Sequence, residues 1–158
     1  MFMEAANSVH KAYQDISLDE YFIDNFAQQL IKNPQRFNQS VIFGTNLFMD
    51  IISEEVSGLV ASIGCIYSAN LGDNYAMFEP AHGSAPQYKG KDKVNPTATV
   101  LAAAWMLDYL GEKKKAEAIF KATRSVIAEG KRVTYDLGGT ARLSEMADAI
   151  AEKAKQNL

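Results

Sequence analysis

The sequence holds a single cysteine, Cys65, so no disulfide can close within the chain and a reducing compartment is expected. No apolar run approaches the roughly 20 residues that a bilayer-spanning helix needs. The opening residues Met1 to Asn7 carry a charge early and lack the apolar centre of a secretion signal. These absences lead us to expect a soluble, cytoplasmic chain with no membrane partner. Positive charge is not in surplus either: the net charge is −3, which argues against a nucleic-acid backbone as ligand, although local lysines can still hold one small phosphate compound. Neither G-x-G-x-x-G nor the P-loop pattern occurs, so neither standard phosphate-binding motif applies. Repeats and low-complexity segments are absent as well.

What is present is globular. Over 158 residues, 47% are apolar and 22% charged, enough to build a core and too apolar for a disordered tail. Helical spacing predicts a short helix over about Glu4 to Tyr13. A stronger one follows Ser17 as N-cap and uses Leu18, Tyr21, Phe22, Phe26, Leu30 and Ile31 before Asn33-Pro34 stops it. Ser40 to Gly44 is apolar and β-branched and reads as a buried strand. A helix over about Leu47 to Ala61 should bury Ile51, Ile52, Val56 and Leu59. Ile66–Ala69 and Tyr75–Phe78 read as short strands around the Asn70-Leu71-Gly72-Asp73 turn. Helices over Thr97–Leu110, apolar enough to be buried on most sides, and Lys113–Glu129 end near Gly111 and Gly130. Val133 to Asp136 suggests an edge strand, and a last helix covers about Ser144 to Lys155. Helices alternating with short strands imply an α/β class with layered elements.

Two groups of residues carry chemistry. Asp50 and Glu54 are four apart, so a helix places them on one face a turn apart, and Asp24 sits in the earlier amphipathic segment, where a carboxylate beside Phe22 and Phe26 would be partly desolvated. Oxygen donors of this kind suit hard divalent ions such as Mg²⁺ or Mn²⁺, yet solvent-facing helix carboxylates show the same spacing. The second group is the aperiodic stretch from Glu79 to Pro96, longer than most connections inside a domain. Gly83 and Gly90 allow close backbone approach, Ser84 and free N–H groups can bind phosphate oxygens, and Lys89, Lys91 and Lys93 add positive charge. His82 and Tyr88 offer flat faces to a base, and Asn95 has the donor–acceptor pair to read an adenine edge. A solvated, lysine-bearing surface loop has the same composition.

The order of these segments resembles the isocitrate/isopropylmalate dehydrogenase family of β-decarboxylating dehydrogenases. Tyr21 to Asn25 with Asn33-Pro34-Gln35-Arg36-Phe37 is similar to the segment ending in N-P-x-x-F. Asn46-Leu47-Phe48-Met49-Asp50-Ile51-Ile52-Ser53-Glu54-Glu55 resembles N-L-[FY]-G-D-I-[IL]-S-D-E. Ser68 to Asp73, Phe78 to Pro86, Asn95-Pro96-Thr97-Ala98 and Asp136-Leu137-Gly138-Gly139-Thr140 continue the pattern in order. The resemblance implies the C-terminal half of the family's α/β fold, incomplete in itself. Residues 1–60 would belong to the small dimerisation domain with the metal carboxylates, and 61–158 to the C-terminal part of the large nucleotide-binding domain.

What the resemblance implies functionally is an isocitrate dehydrogenase-like oxidoreductase that oxidatively decarboxylates a 2-hydroxy acid with NADP or NAD. Asp24, Asp50 and Glu54 would hold Mg²⁺ or Mn²⁺, with Asp24 supplied by the partner subunit of a homodimer. His82, Gly83, Ser84, Ala85, Gln87, Tyr88, Asn95, Tyr135 and Asp136 would hold the cofactor. Gln87 stands where NAD-using members tend to have aspartate, and Tyr88 and Tyr135 match tyrosines near the 2′-phosphate in NADP-using members. Gly139 stands where such enzymes can have an arginine. The balance points to NADP.

Family chains are roughly twice this length, and the part without a counterpart carries the substrate-gripping arginines and serine and the proton-moving tyrosine and lysine. No catalytic residue is therefore assigned within this sequence. The alternative is a non-catalytic or split-chain module that pairs with a partner, such as a complementary N-terminal chain. Met49 replaces a glycine and threatens to crowd the metal aspartate, and Glu54 replaces an aspartate. Phe37 to Asn46 is longer than the family stretch by two residues, so a bulge or longer loop is expected there.

Overall fold

The computed structural model describes residues 1–60 and 62–158, the Val60 side chain excepted. The chain divides into two compact units, Met1–Leu59 and Val60–Leu158.

The first unit holds α1 (Phe2–His10), α2 (Ile23–Lys32) and α3, whose span Asn46–Val60 reaches the boundary. The C-terminal end expected at Ala61 lies outside the described residues. Phe26 and Leu30, one turn apart on α2, are buried with Ile52 of α3, and Tyr21, Phe37, Met49 and Val56 pack around them. The α2 helix starts at Ile23, not after Ser17. Tyr21 packs edge-on against Phe26 at 5.6 Å and Phe37 at 5.9 Å between ring centres. Residues five apart lie on different helix faces, so Tyr21 reaches Phe26 only if the helix begins beyond it. Extended Phe22 (φ −70°, ψ 142°) makes that break.

Three further expectations fail in this unit. Ser40–Gly44 forms no strand, and Val41 is 89% exposed. A strand needs a ladder partner, and no strand is found among the described residues of the unit. On α3 only the Met49–Ile52–Val56 stripe meets α2, so Ile51 and Leu59 point away and are exposed. Asp24 and Phe22 are exposed, so the expected partial desolvation of Asp24 does not occur. The longer connection before α3 is met by a 3-10 turn, Pro34–Phe37, and an irregular stretch with Gln39 at φ 64°.

The second unit begins with a hairpin of β1 (Tyr67–Leu71) and β2 (Ala76–Pro80), antiparallel with Tyr67 opposite Pro80 and Leu71 opposite Ala76. Alternation puts Tyr67, Ala69, Ala76 and Phe78 on one face. That face packs on α4 (Thr97–Tyr109): Trp105 meets Tyr67 at 5.8 Å and Phe78 at 5.7 Å, both edge-on. Helices α5 (Lys113–Glu129) and α6 (Leu143–Gln156) complete the layer. Small side chains at Ala98, Ala102, Ala104, Ala116, Ala118 and Ala122 are buried, which permits close helix approach. The core runs from Ala122 and Val126 to Met146, Ala149, Ile150 and Ala154, with Val133 between. Helix α4 is less buried than expected, since Met106 and Tyr109 are exposed.

Val133–Asp136 is not an edge strand. Thr134 O accepts from the N–H groups of Leu137 and Gly139, and Val133 O accepts from Ala141 N–H at 3.0 Å. A 3-10 turn over Tyr135–Leu137 thus satisfies the carbonyls that a ladder would have used.

Candidate functional site

Behind the aperiodic loop lies a polar network that no local pattern announces. The Asp136 carboxylate accepts from Ser62 Oγ at 2.7 Å and Asn95 Nδ2 at 2.9 Å on one oxygen, and from Thr134 Oγ1 at 2.6 Å on the other. Asn95 Oδ1 accepts from Thr97 N–H at 2.9 Å, which caps the start of α4. Gly64 makes this packing possible: a Cβ there would stand 2.8 Å from Asn95 Cβ and 3.2 Å from Asp136 Oδ2. Burial pushes the Asp136 carboxyl up, but the hydrogen bonds from Thr134, Asn95 and Ser62 outweigh it and hold the group below the usual carboxylate range. The Cys65 thiol, half-buried beside Asn95, is pushed up by burial and by the Asp136 charge, so it stays a protonated thiol.

Asn95 is only 6% exposed, and its carboxamide is committed to Asp136 and Thr97. Its side chain therefore braces the loop instead of offering the free adenine-reading edge that its chemistry suggested.

The loop itself turns through a 3-10 segment, Pro86–Tyr88, entered from Ala85 in the left-handed region (φ 43°). Ser84, Ala85, Tyr88, Lys89, Gly90, Asp92 and Lys93 line an open depression of about 240 Å³. The rings of Tyr88 and Tyr135 lie 6.3 Å apart, and the Lys93 ammonium sits 4.7 Å from the Tyr135 ring centre and 5.3 Å from that of Tyr88. The neighbouring Tyr88 hydroxyl, then burial, pushes the Tyr135 phenol up, so it remains a donor at neutral pH. Ser84 and Gln87 are exposed and Gly83 has open space above its Cα, while His82 is half-buried with Nδ1 2.9 Å from Gly83 O.

Asp92 fixes the far arm of the loop. Its carbonyl accepts from Leu143 N–H at 3.0 Å, and its carboxylate accepts from Ser144 N–H at 2.9 Å and Ser144 Oγ at 2.6 Å. It thus caps the first turn of α6 from 52 positions away, with its backbone at φ 48°. Those bonds hold the Asp92 carboxyl below its ordinary value. Removing the cap by Asp92→Ala should lower the thermal midpoint by roughly 5 °C, with Asp92→Asn recovering most of the loss. Equal melting curves for wild type and Asp92→Ala would refute the cap.

The carboxylates of the first unit are placed differently. Asp24 on α2, and Asp50 and Glu54 a turn apart on α3, are all exposed. Asp24 Oδ1 accepts from Asn25 N–H at 2.8 Å. Among the described residues no group of three or more His, Cys, Asp or Glu side chains comes together to hold a metal ion. Asp50 and Glu54 are oxygen donors that fit a hard divalent ion, but as part of a coordination shell only. Met49 does not crowd them, because its side chain packs into the Phe26–Leu30–Ile52 cluster.

Ser62, Gly64, Thr134 and the role of Asp92 were not legible as site features. Ser62 and Asp136 are 74 residues apart, so no window of sequence contains both.

Known proteins resemble this chain in sequence and in fold. The family model described as isocitrate/isopropylmalate dehydrogenase matches residues 1–150. Homoisocitrate dehydrogenase of Methanocaldococcus jannaschii is 42% identical over 158 residues, covering 100% of this chain and 44% of that protein. Isocitrate/homoisocitrate dehydrogenase of Thermus thermophilus is 44% identical over 155 residues, covering 98% and 46%. The crystal structure of isocitrate dehydrogenase from Methylococcus capsulatus superposes with a TM-score of 0.93 at 40% identity, covering 98% of this chain and 46% of that one. The chain spans less than half the length of these relatives, and its α/β fold is correspondingly a part of theirs. With the family model running over nearly all of its length, the chain belongs to the isocitrate/isopropylmalate dehydrogenase family.

Proposed function

We propose that this chain is the nucleotide- and metal-bearing part of a dehydrogenase that oxidatively decarboxylates a 2-hydroxy acid, with isocitrate-type substrates and NADP favoured. The carrying observation is the Asp136–Asn95–Ser62–Thr134 network, which braces three chain segments behind a loop whose outer face presents Ser84, Tyr88 and Lys93. In this reading Ser84 and the loop N–H groups bind phosphate oxygens, His82 flanks the base, and Gln87, Tyr88, Tyr135 and Asp136 surround the adenosine ribose. Gly83 and Ala85 let the backbone approach closely. When bound, a nicotinamide dinucleotide would supply a hydride acceptor and a divalent ion would supply Lewis acidity beside the substrate. Asp50 and Glu54 would hold Mg²⁺ or Mn²⁺ together with Asp24 of a second copy, because no such cluster assembles among the described residues of one chain. The chain's own contribution is to bind, orient and brace. Proton transfer is left to groups outside it.

Calorimetry on the folded chain tests this reading. NADP⁺ is expected to bind with a Kd of about 1 mM or tighter, and a folded sample giving no heat with either NADP⁺ or NAD⁺ defeats it.

A second reading, a module that acts by pairing with another chain, is favoured by the apolar surface of the first unit. Phe22 is 84% exposed, and Val41, Phe43, Leu47 and Ile51 are exposed as well. Light scattering should find more than one chain per particle, whereas dehydrogenase turnover by the chain as a monomer would rule this reading out. In either case no helix among the described residues is long and apolar enough to cross a membrane.

A further inference from the structure

Asp92 holds a backbone conformation that side chains seldom adopt. Its φ is 48°, in the left-handed region, where a Cβ is crowded by the following carbonyl. Strain of this kind persists only where surrounding bonds over-determine it, and it gathers at segments that hold ligands. Here three bonds enforce it, all to the start of α6. Asp92 O accepts from Leu143 N–H, and the carboxylate accepts from Ser144 N–H and Ser144 Oγ.

Helix α6 has a capping bond of its own. Glu145 Oε2 accepts from Arg142 N–H at 2.8 Å, inside the same terminus. The loop has far less. Among the described residues, the backbone-to-backbone hydrogen bonds of residues 82–91 reach no farther than three positions: Tyr88 N–H to Ala85 O, Lys89 N–H to Pro86 O and Lys91 N–H to Tyr88 O. Bonds of that reach shape turns but do not fasten a loop to its unit. The fastening lies at the two ends of the stretch, where Ala81 N–H donates to Ile66 O at 3.0 Å and Asp92 grips α6. Asp92 and Leu143 also line the same depression as Ser84, Tyr88 and Lys93, so the clasp lies on the wall of the candidate site.

We infer that Asp92 is a positioning residue of the nucleotide loop, pinning its far arm to the first turn of α6 so that the loop is already ordered when a ligand arrives. It acts through the loop backbone, without touching the nucleotide. Without the clasp, only a fraction of chains would hold the loop in its binding form, and the apparent affinity falls by that fraction. This inference rests on the nucleotide reading of the loop and adds to it what keeps the loop in place.

The test sets Asp92→Ala against Glu145→Ala, since each removes one acceptor from the start of α6 and only the first releases the loop. NADP⁺ is titrated calorimetrically into the whole chain at a temperature below every thermal midpoint, so that each variant is folded. Asp92→Ala should bind NADP⁺ roughly fivefold more weakly than wild type, the effect of losing one cap expressed as a fraction of competent loop. Asp92→Asn keeps an acceptor and tolerates the left-handed region, so it should stay within about twofold of wild type. Glu145→Ala should lower the thermal midpoint and leave NADP⁺ binding unchanged. Amide hydrogen exchange reads the loop without ligand: residues 83–91 should exchange faster in Asp92→Ala and at the wild-type rate in Glu145→Ala. Equal NADP⁺ affinity in wild type and Asp92→Ala, or an equal loss in Glu145→Ala, overturns the inference and leaves the nucleotide reading intact. A folded wild type that binds no NADP⁺ overturns both.

Discussion

Replacing Gly139 by alanine is expected to destabilise the Val60–Leu158 unit by about 3 kcal/mol, the upper end of what overpacking costs. The added methyl would overlap the Val133 carbonyl oxygen and lie 2.8 Å from its carbon. Neither can retreat cheaply. Val133 O accepts from Ala141 N–H, Thr134 O accepts from the N–H of Gly139 itself, and the Val133 side chain is buried in the α5–α6 core. A unit of this size should lose 10 °C or more in thermal midpoint, at roughly 4–8 °C per kcal/mol. The neighbouring glycine provides the control. Gly138 has φ 79° and open space where its Cβ would be, so Gly138→Ala meets only left-handed strain, about 1 kcal/mol. Calorimetric melts of the two variants should differ clearly in that order. The reverse order, or equal losses, would mean that the turn is not seated against Val133 as described.

Replacing Asp136 by alanine should cost about 2 kcal/mol, and the loss should depend on pH. Three donors share this carboxylate. Removing it leaves the Asn95 carboxamide without its shortest acceptor and the fully buried Thr134 hydroxyl with only a distant sulfur, Met146 Sδ at 3.8 Å. The carboxylate is partly open to solvent, so water replaces some of what is lost and the figure stays below the sum of three charged hydrogen bonds. The carboxyl is held below its usual value in the folded chain. A depressed carboxyl contributes stability that is complete above the unfolded value, about 3.9, and is lost as pH falls through the lower folded value. Wild type should therefore weaken on acidification below about pH 4 by more than Asp136→Asn does. Chemical denaturation at neutral pH and at pH 3 measures the difference. Parallel pH profiles for the two proteins would show that Asp136 carries no such linkage.

The sequence made much of the second unit legible because its signals are local. Gly111 and Gly130 sit just beyond the ends of α4 and α5. A hairpin turn falls close to the expected one, at Gly72–Tyr75 instead of Asn70–Asp73, because Asn70 and Leu71 pair within β1. Element type and approximate position thus follow from neighbours a few residues away. The failures have a common physical origin in partners that are distant or absent. Ser40–Gly44 has the composition of a buried strand but no strand among the described residues of its unit to pair with. The helical pattern runs back through Phe22 and Tyr21 to Leu18, ahead of the true start at Ile23, and the use of Tyr21 against Phe26 and Phe37 breaks the helix instead. Val133–Asp136 reads as an edge strand, yet the Thr134 hydroxyl and carbonyl both serve the following turn.

The site divides in the same way. Residues that face outward from the loop, such as Ser84, Tyr88 and Lys93, could be picked by chemistry alone, and the family motifs named Tyr135 and Asp136. What holds those residues in place could not be picked. Asp92 acts on α6 across 52 positions, and Ser62 acts on Asp136 across 74. Asn95 shows the limit most clearly: its amide was legible as a hydrogen-bonding group, but only the fold shows that the group is spent inside the protein.

The most direct test of the nucleotide reading is a titration of the isotopically labelled chain with NADP⁺, followed through its backbone amide resonances. Binding at the loop predicts saturable shifts confined to residues 82–95 and 135–139, with α5 and the first unit unmoved. Shifts scattered over the surface without saturation, or none at all from a folded chain, would contradict it.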